Sequence, residues 1–291
     1  MRSLIRSLAL LLLVCARAFA QGEVREGLTL PSETFKKAMR YSIYLPPGYE
    51  MSKRTYPVVY LLHGLGDDDA AWIHNGEIAE TLDRAIAGRQ ATPMIVVMPD
   101  GGASWFVNSV DGASKWEDYF FKEFMPFIEE RFRVRTQRAS RAIGGISMGG
   151  YGALSYALRH SGLFSACMAL SPSLRAPEDV AALPPERWGQ AYAPVFGAAK
   201  GEARITAHWQ ALSPLKVLEN AKADAFPQTR IYLDCGDRDP LLKGAFAFHA
   251  LLDARNVTHA LRVRGGGHSW GYWRSGLQGG LTYLSDVFRE D

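Results

Sequence analysis

A Gly-x-Ser-x-Gly pentapeptide, Gly145-Ile146-Ser147-Met148-Gly149, is the part of this sequence best suited to nucleophilic chemistry. The preceding residues 140–143 are short and partly apolar and predict a buried strand, whereas residues 151–160 carry Leu and Tyr at helical spacing. A serine between a strand and a helix lies on a sharp turn, and the two glycines leave room for strand and helix to approach each other. The pattern predicts Ser147 as a nucleophile, with the Met148 N–H at the helix start facing a developing oxyanion.

A serine hydroxyl is a weak nucleophile near neutral pH, so it needs a base and an acid that orients the base. Of the seven histidines, His268 is the one that lies late in the chain, on a Gly-rich loop after the last predicted strand. Asp237 and Asp239 both follow the penultimate strand, and spacing alone leaves either as the acid, with Asp239 favoured. His63 lies in a His-Gly-Leu-Gly run after an early strand. We interpret this run by its backbone and not by the imidazole, with the Leu65 N–H as the second oxyanion donor.

Strand and helix patterns alternate along the chain, with no internal repeat and no linker. This alternation predicts an α/β fold with a doubly wound, mainly parallel sheet flanked by helices, and a single domain over residues 21–291. The candidate residues above all follow strand ends, which is where function gathers in such sheets. Strands are predicted at residues 39–45, 57–62, 94–98, 140–143, 164–170, 231–235 and 260–263, and helices at 77–88, 114–132 (capped by Ser114), 151–160, 244–253 and 272–288, with a Pro-rich connection of short helices at most over 174–228.

Residues 1–20 are typical of a secretory signal peptide. Arg2 and Arg6 flank the start, an apolar run covers residues 8–14, and Ala18-Phe19-Ala20 places small residues ahead of a cleavage site. The apolar run is too short for a membrane span. We therefore expect a secreted or periplasmic protein with no membrane attachment after the signal peptide is removed.

The charge balance and the cysteine content argue against a nucleic-acid-binding protein and against a zinc site. The chain has 33 Lys and Arg against 30 Asp and Glu, and the leader holds three arginines and no acid, so the rest of the chain is formally neutral. This balance indicates no nucleic-acid partner. Cys167 and Cys235 lie in apolar runs and are interpreted as buried thiols, and no zinc-ligand spacing or His-Glu-x-x-His motif occurs. We expect neither a metal nor a cofactor.

The seven tryptophans lie in connections that follow strand ends on the predicted active face. Two interpretations stay open, packing within the loops or an aromatic cleft for a flat acyl or sugar group. Trp72, Trp105 and Trp270 are the candidate substrate-binding residues.

Six motifs together resemble those of the esterase D, antigen 85 and feruloyl esterase group of α/β-hydrolases, over nearly all of residues 35–290. The resemblance implies the α/β-hydrolase fold, Asp239 as the acid because it is the Asp of a Gly-x-x-Asp-x-Leu run, and Leu65 and Met148 as oxyanion donors. The motifs are Tyr44-Leu45-Pro46-Pro47-Gly48-Tyr49, Leu61-Leu62-His63-Gly64-Leu65-Gly66, Met98-Pro99-Asp100-Gly101, Gly145-Ile146-Ser147-Met148-Gly149-Gly150, Cys235-Gly236-Asp237-Arg238-Asp239-Pro240-Leu241 and Gly266-Gly267-His268-Ser269-Trp270.

The resemblance implies a secreted serine carboxylesterase that hydrolyses a small-molecule or carbohydrate ester, with feruloyl and acetyl esters of a carbohydrate as candidates. An acyltransferase with the same triad and an S-formylglutathione-hydrolase-like thioesterase are alternatives, and the leader argues against the cytosolic thioesterase. A non-catalytic carbohydrate-binding protein is the least favoured alternative, because the Ser, Asp and His set is intact.

Overall fold

The computed structural model describes residues 21–221 and 229–290. The predicted signal peptide lies outside the described residues, as does the end of the Pro-rich connection. Within the described ranges, no helix combines the length and the apolar character needed to span a bilayer.

Eight strands form one sheet in the order β1-β2-β4-β3-β5-β6-β7-β8. The β1–β2 and β2–β4 pairs are antiparallel, and every other pair is parallel. The predicted mainly parallel sheet is thereby confirmed, with β1 as an additional strand that the sequence did not indicate. The strands are β1 Glu23–Ser32, β2 Lys37–Leu45, β3 Val58–Leu62, β4 Ile95–Pro99, β5 Arg141–Ile146, β6 Ala166–Leu170, β7 Arg230–Gly236 and β8 His259–Arg264.

Helices cover both faces of the sheet, because the central strands are apolar on both sides. In β3, Val58, Tyr60 and Leu62 pack into one core and Val59 and Leu61 into the other. The helices are α1 Ala71–His74, α2 Ile78–Ala87, α3 Trp116–Tyr119, α4 Met125–Arg131, α5 Met148–Arg159, α6 Pro177–Ala181, α7 Pro185–Ala191, α8 Ala193–Phe196, α9 Ala207–Leu212, α10 Pro214–Asn220, α11 Leu242–Ala254 and α12 Trp270–Glu290. Helices α2 and α12 cover one face, whereas α4, α5 and α11 cover the other.

The helix predicted over 114–132 differs from the structure at its start and in its middle. Ser114 does not cap it. The helix begins at Trp116, and the Asn108 side chain accepts the Asp118 N–H at 3.2 Å instead. The Ser114 backbone is engaged elsewhere, since its N–H donates to Ser109 Oγ at 2.9 Å. A π-helical turn, Phe120–Phe124, joins α3 to α4. The five short helices α6 to α10 agree with the predicted irregular connection.

The two predicted thiols are free and buried. Burial raises the pKa of the Cys235 thiol to about 12, and it also raises the pKa of Cys167. Both side chains are therefore neutral thiols at physiological pH.

An ion pair between the buried Asp234 and the partly exposed Arg264 holds together β7, β8 and the start of α12. Asp234 is 1% exposed, and it receives Arg264 Nε at 3.0 Å and Arg264 Nη2 at 3.1 Å. The hydroxyls of Tyr272 and Tyr232 also donate to the Asp234 carboxylate. The loop that carries His268 runs from Arg264 to α12, so this cluster fixes both ends of that loop.

Asp234→Ala should lower the free energy of unfolding by about 2 kcal/mol, because the buried Tyr272 hydroxyl and the partly exposed Arg264 guanidinium both lose their acceptor. Urea denaturation at pH 7 would measure the change. Asp253→Ala, at an exposed position of α11, is the control and should change stability by less than about 0.5 kcal/mol. Equal unfolding midpoints for the two variants would contradict the role assigned to this cluster.

Candidate active site

Ser147 lies on a strained turn between β5 and α5. Its backbone has φ 51° and ψ −112°, a conformation that costs free energy in a non-glycine residue. The turn also requires its glycines. A Cβ on Gly145 would lie 2.4 Å from the Gly149 carbonyl carbon, and a Cβ on Gly149 would lie 2.4 Å from Leu62 O. The turn directs Ser147 Oγ into the cleft described below.

His268, in the loop between β8 and α12, lies between the serine and an acid. Its Nε2 is 2.9 Å from Ser147 Oγ, and its Nδ1 is 2.9 Å from Asp239 Oδ2. The carboxylate can only accept a hydrogen bond, so Nδ1 carries the proton and Nε2 is free to accept from the serine hydroxyl. The Trp273 ring packs edge-on against the imidazole, with centroids 4.8 Å apart. The structure thus brings Ser147, His268 and Asp239 into one hydrogen-bonded row.

The two candidate acids occupy different environments. Burial alone would raise the pKa of Asp239, but hydrogen bonds from His268, the Ser171 hydroxyl and the Leu241 N–H hold that pKa below its usual value. Asp239 is therefore a charged carboxylate facing the imidazole. The Asp237 side chain is 52% exposed, and it accepts the Gly266 N–H at 2.8 Å. Asp237 thus fastens the histidine loop and does not face His268.

Leu65 and Met148 both border the same cleft as Ser147. Met148 is the first residue of α5, so its N–H has no acceptor within the helix and is free to bind an anion. Leu65 lies in a tight turn after β3, in which the Asp67 N–H donates to Gly64 O at 3.2 Å. The structure therefore places both predicted donor residues beside the nucleophile.

The His63 ring has a positioning role that the sequence analysis did not predict. It is buried, its Nδ1 donates to Gly64 O at 2.7 Å, and its Nε2 accepts the Gly101 N–H at 2.8 Å. Burial lowers the pKa of His63, so the ring is neutral, as this pairing requires. The ring thus links the loops after β3 and β4. The sequence signal that could have indicated this role is the position of His63 at a strand end, directly before a Gly-x-Gly turn.

Ser171 is a second residue that the sequence analysis missed. It follows β6 with a φ of 43°, and its N–H donates to Asp234 O at 2.7 Å. Its buried Oγ accepts the Trp273 indole N–H at 2.9 Å, which leaves the hydroxyl proton for the Asp239 carboxylate. The hydroxyl lies far from Asp239 in sequence, so no local pattern indicates the contact.

The three candidate tryptophans have different positions. Trp72 is fully buried and donates to Leu62 O at 3.1 Å, so the prediction that it binds substrate is corrected, because no ligand can reach it. Trp105 borders the cleft and donates to Ala191 O at 2.7 Å. Trp270 is half-buried, and its ring packs against the Trp72 ring with centroids 5.2 Å apart. The cleft wall beside Ser147 does not include Trp270.

The cleft beside Ser147 has a volume of about 570 Å³. The loops after β3 and β4 contribute Leu65 and Trp105, the start of α5 contributes Met148, and α7 and neighbouring residues also line the cleft. Helix α7 contributes the exposed polar side chains of Glu186, Arg187 and Gln190. Across residues 21–221 and 229–290, no group of three or more His, Cys, Asp or Glu is arranged to hold a metal ion.

Comparisons with known proteins identify the family of this chain. A sequence model of the Esterase family, described as "Putative esterase", matches residues 32–284. An esterase of Mycobacterium tuberculosis is 41% identical over 128 residues, which are 43% of this chain and 27% of that protein. An endo-1,4-beta-xylanase/feruloyl esterase of Xylanibacter ruminicola is 31% identical over 162 residues, 53% of this chain and 22% of that protein. The chain thus spans less than a third of the length of these curated relatives.

A solved structure of a ferulic acid esterase is 31% identical, with a TM-score of 0.80, and the match covers 92% of this chain and 99% of that chain. A match of this extent confirms the predicted α/β-hydrolase fold. Since the family model also covers more than half of the sequence, the predicted resemblance is confirmed: this chain belongs to the esterase family of α/β-hydrolases.

Proposed function

We propose that this protein is a serine carboxylesterase in which Ser147 is the nucleophile, His268 the general base and Asp239 the acid that orients it. The observation that carries the proposal is the row of hydrogen bonds from Ser147 Oγ through His268 to Asp239, with both distances 2.9 Å. Family membership supports the same reaction class. With residues 1–20 as a signal peptide, we also propose a secreted or periplasmic location.

In the acylation step, Ser147 Oγ attacks the ester carbonyl carbon while His268 Nε2 takes the hydroxyl proton. The imidazolium that forms lies against the Asp239 carboxylate, which stabilises its charge. The backbone N–H groups of Leu65 and Met148 donate to the carbonyl oxygen as it becomes negative. His268 then gives its proton to the departing alcohol oxygen, and a water activated by the same imidazole hydrolyses the acyl-enzyme.

The position of His268 indicates which part of the ester enters the cleft. The leaving oxygen must meet His268 Nε2, whereas the carbonyl oxygen must meet the N–H groups of Leu65 and Met148, two residues that line the cleft. We propose that the acyl group occupies the cleft and that the alcohol lies toward the partly exposed His268 side chain. An open alcohol side accommodates a large alcohol, so we propose an acylated carbohydrate, with feruloyl and acetyl esters as the candidates.

Ser147→Ala should lower kcat by roughly 10⁴-fold or more, because it removes the group that forms the acyl-enzyme. Turnover of methyl ferulate, 4-nitrophenyl acetate and 4-nitrophenyl butyrate by both proteins would measure this. Strong Ser147-dependent turnover of methyl ferulate would support an aromatic acyl group, and turnover of only the short esters would support an acetyl esterase.

Near-normal turnover by the Ser147→Ala variant would overturn the proposed mechanism. Adding a sugar acceptor to the same assay separates hydrolysis from acyl transfer, since a transferase yields an acylated sugar. Faster turnover of S-formylglutathione than of any oxygen ester would favour the thioesterase.

Asp239→Asn should lower kcat by roughly 10⁴-fold, because an amide no longer fixes the imidazole tautomer that accepts the serine proton. Asp237→Asn is the matched control two residues away. It keeps an oxygen for the Gly266 N–H, so its kcat should fall by about twofold at most. Steady-state kinetics on 4-nitrophenyl butyrate would compare them, and a larger loss in Asp237→Asn would transfer the acid role to that residue.

Ser171→Gly should lower kcat by about tenfold with little change in KM, because it removes one hydrogen bond to the charged Asp239 and touches no cleft wall. Glycine tolerates the positive φ of this position. The pKa of Asp239 should rise, which a ¹³C NMR titration of the carboxyl carbon would detect. An unchanged Asp239 titration in Ser171→Gly would refute the contact.

Ser171→Gly should also change how the free energy of unfolding depends on pH. The folded-state pKa of Asp239 is lowered, so its stabilising contribution is present above the unfolded-state pKa and is lost as pH falls through the folded-state value. Because Ser171→Gly raises the folded-state pKa, the stability gap between variant and wild type should be largest near pH 7 and shrink below about pH 4.

A further inference from the structure

Helix α7 lines the cleft but exposes most of its own residues. Glu186 and Gln190 of this helix lie along the cleft that contains Ser147. Of the seven residues of α7, Trp188 is the buried one. A helix this short is not stable by itself. The position of this side of the cleft therefore depends on what holds the Trp188 ring and the turn that precedes the helix.

Arg204 supports both the Trp188 ring and this turn. Its side chain is 2% exposed, and its Nη1 donates to Leu183 O at 2.7 Å, two residues before α7 begins. The guanidinium carbon lies over the Trp188 ring, 4.8 Å from the ring centre. A cation in this position is attracted by the π electrons of the indole. One buried side chain thus contacts the helix at two points.

The same guanidinium also binds the end of α6 and the chain between α8 and α9. Nη1 donates to Val180 O at 3.1 Å and to Ala181 O at 3.2 Å, and Nε donates to Ala199 O at 3.3 Å. The last carbonyl groups of a helix have no partner within it and carry partial negative charge, so they suit a cation. A buried charge is costly without its hydrogen bonds, and any displacement of these segments away from Arg204 is therefore opposed.

Further contacts hold the other end of α7. The Trp188 indole N–H donates to Gly197 O at 2.9 Å, and its ring stacks on Tyr192 with an interplanar angle of 2°. The Trp105 indole N–H donates to Ala191 O, the last carbonyl of the helix, at 2.7 Å. The helix is thereby tied to the loop after β4, which also lines the cleft, while Arg204 holds its start.

We propose that Arg204 is a positioning residue that fixes α7 before substrate binds, so that a long acyl group meets a preformed surface in the cleft. This inference rests on the proposed function, in which the acyl group occupies the cleft. A surface that is already ordered binds without a further cost in conformational entropy. An acetyl group fills only a small part of the cleft of about 570 Å³, so Arg204 contributes to the binding of long acyl groups and not to that of acetyl groups.

The test measures kcat and KM for the 4-nitrophenyl esters of acetate, butyrate and hexanoate. Arg204→Lys should raise KM for the hexanoate ester by about tenfold, because one ammonium group cannot replace the guanidinium fork at carbonyls of several segments. Its kcat for this ester should change by about twofold at most, since the lost contacts bind substrate and transition state equally. Both constants for the acetate ester should stay within about twofold of the wild-type values.

Arg141→Lys is the matched control. Arg141 is similarly buried, but it is the first residue of β5 and lies at the opposite end of that strand from Ser147. Its guanidinium donates to Glu129 Oε1 at 2.8 Å, to Leu163 O at 3.0 Å and to Thr136 O at 2.6 Å. This variant should lose stability without releasing α7, so its KM values for the acetate and hexanoate esters should keep the wild-type ratio.

Three results would overturn the inference: an unchanged KM for the hexanoate ester in Arg204→Lys, an equal rise in KM for the acetate ester, or the same rise in Arg141→Lys. The last result would mean that a general loss of stability raises KM. Hydrolysis of 4-nitrophenyl acetate that depends on Ser147 tests the proposed function separately, because that ester does not require α7 to be fixed.

Hydrogen exchange of the wild-type protein gives a second test should Arg204→Lys not fold. The amide N–H groups of Trp188 and Tyr192 donate to Pro184 O and Trp188 O within and at the end of α7. If the helix is fixed in advance, their exchange rates should differ by about threefold at most before and after a fluorophosphonate reacts with Ser147. A larger slowing would show that α7 becomes ordered only around a bound group, and it would overturn the inference.

Discussion

The strained turn at Ser147 is the constraint on which the rest of the site depends. Its positive φ is unfavourable for serine. The conformation persists because β3, β5 and α5 pack so closely around Gly145 and Gly149 that neither position has room for a Cβ atom. The energy that maintains the turn comes from packing on both sides of the sheet, where β3 and β5 are fully buried. Packing of the large apolar core thus offsets the free energy cost of one unfavourable backbone conformation. As a result, the serine side chain is held in the cleft.

A second set of contacts brings the histidine to this fixed serine. The β8–α12 loop is Gly-rich and would be mobile by itself, yet the Asp234–Arg264 pair holds its base and Asp237 accepts the Gly266 N–H within it. The Trp273 ring then fixes the imidazole from the side. Long-range polar contacts supply the rigidity that the sequence of the loop lacks, and rigid placement within hydrogen-bond distance is what proton transfer requires.

Local patterns predicted the parts of the fold that local forces determine. Buried strands such as β3 and β4 are continuous apolar runs, and the turn at Ser147 has a Gly-x-Ser-x-Gly signature, so both were predicted. The errors arose where a distant residue decides the outcome. Asn108 replaces Ser114 at the start of α3, and Trp72 is buried by packing against Trp270. Spacing alone could not separate Asp237 from Asp239, because only the position of His268 in space distinguishes them.

The buried polar groups around the site differ in whether the chain itself satisfies their hydrogen bonds. The His63 ring and the Ser171 hydroxyl each find partners within the chain, so their role is to hold loops and the acid in place. The Tyr151 hydroxyl finds none among the described residues, and the space next to it adjoins the cleft. A buried group that is satisfied within the chain contributes rigidity, because movement of its partner would leave a polar atom unpaired.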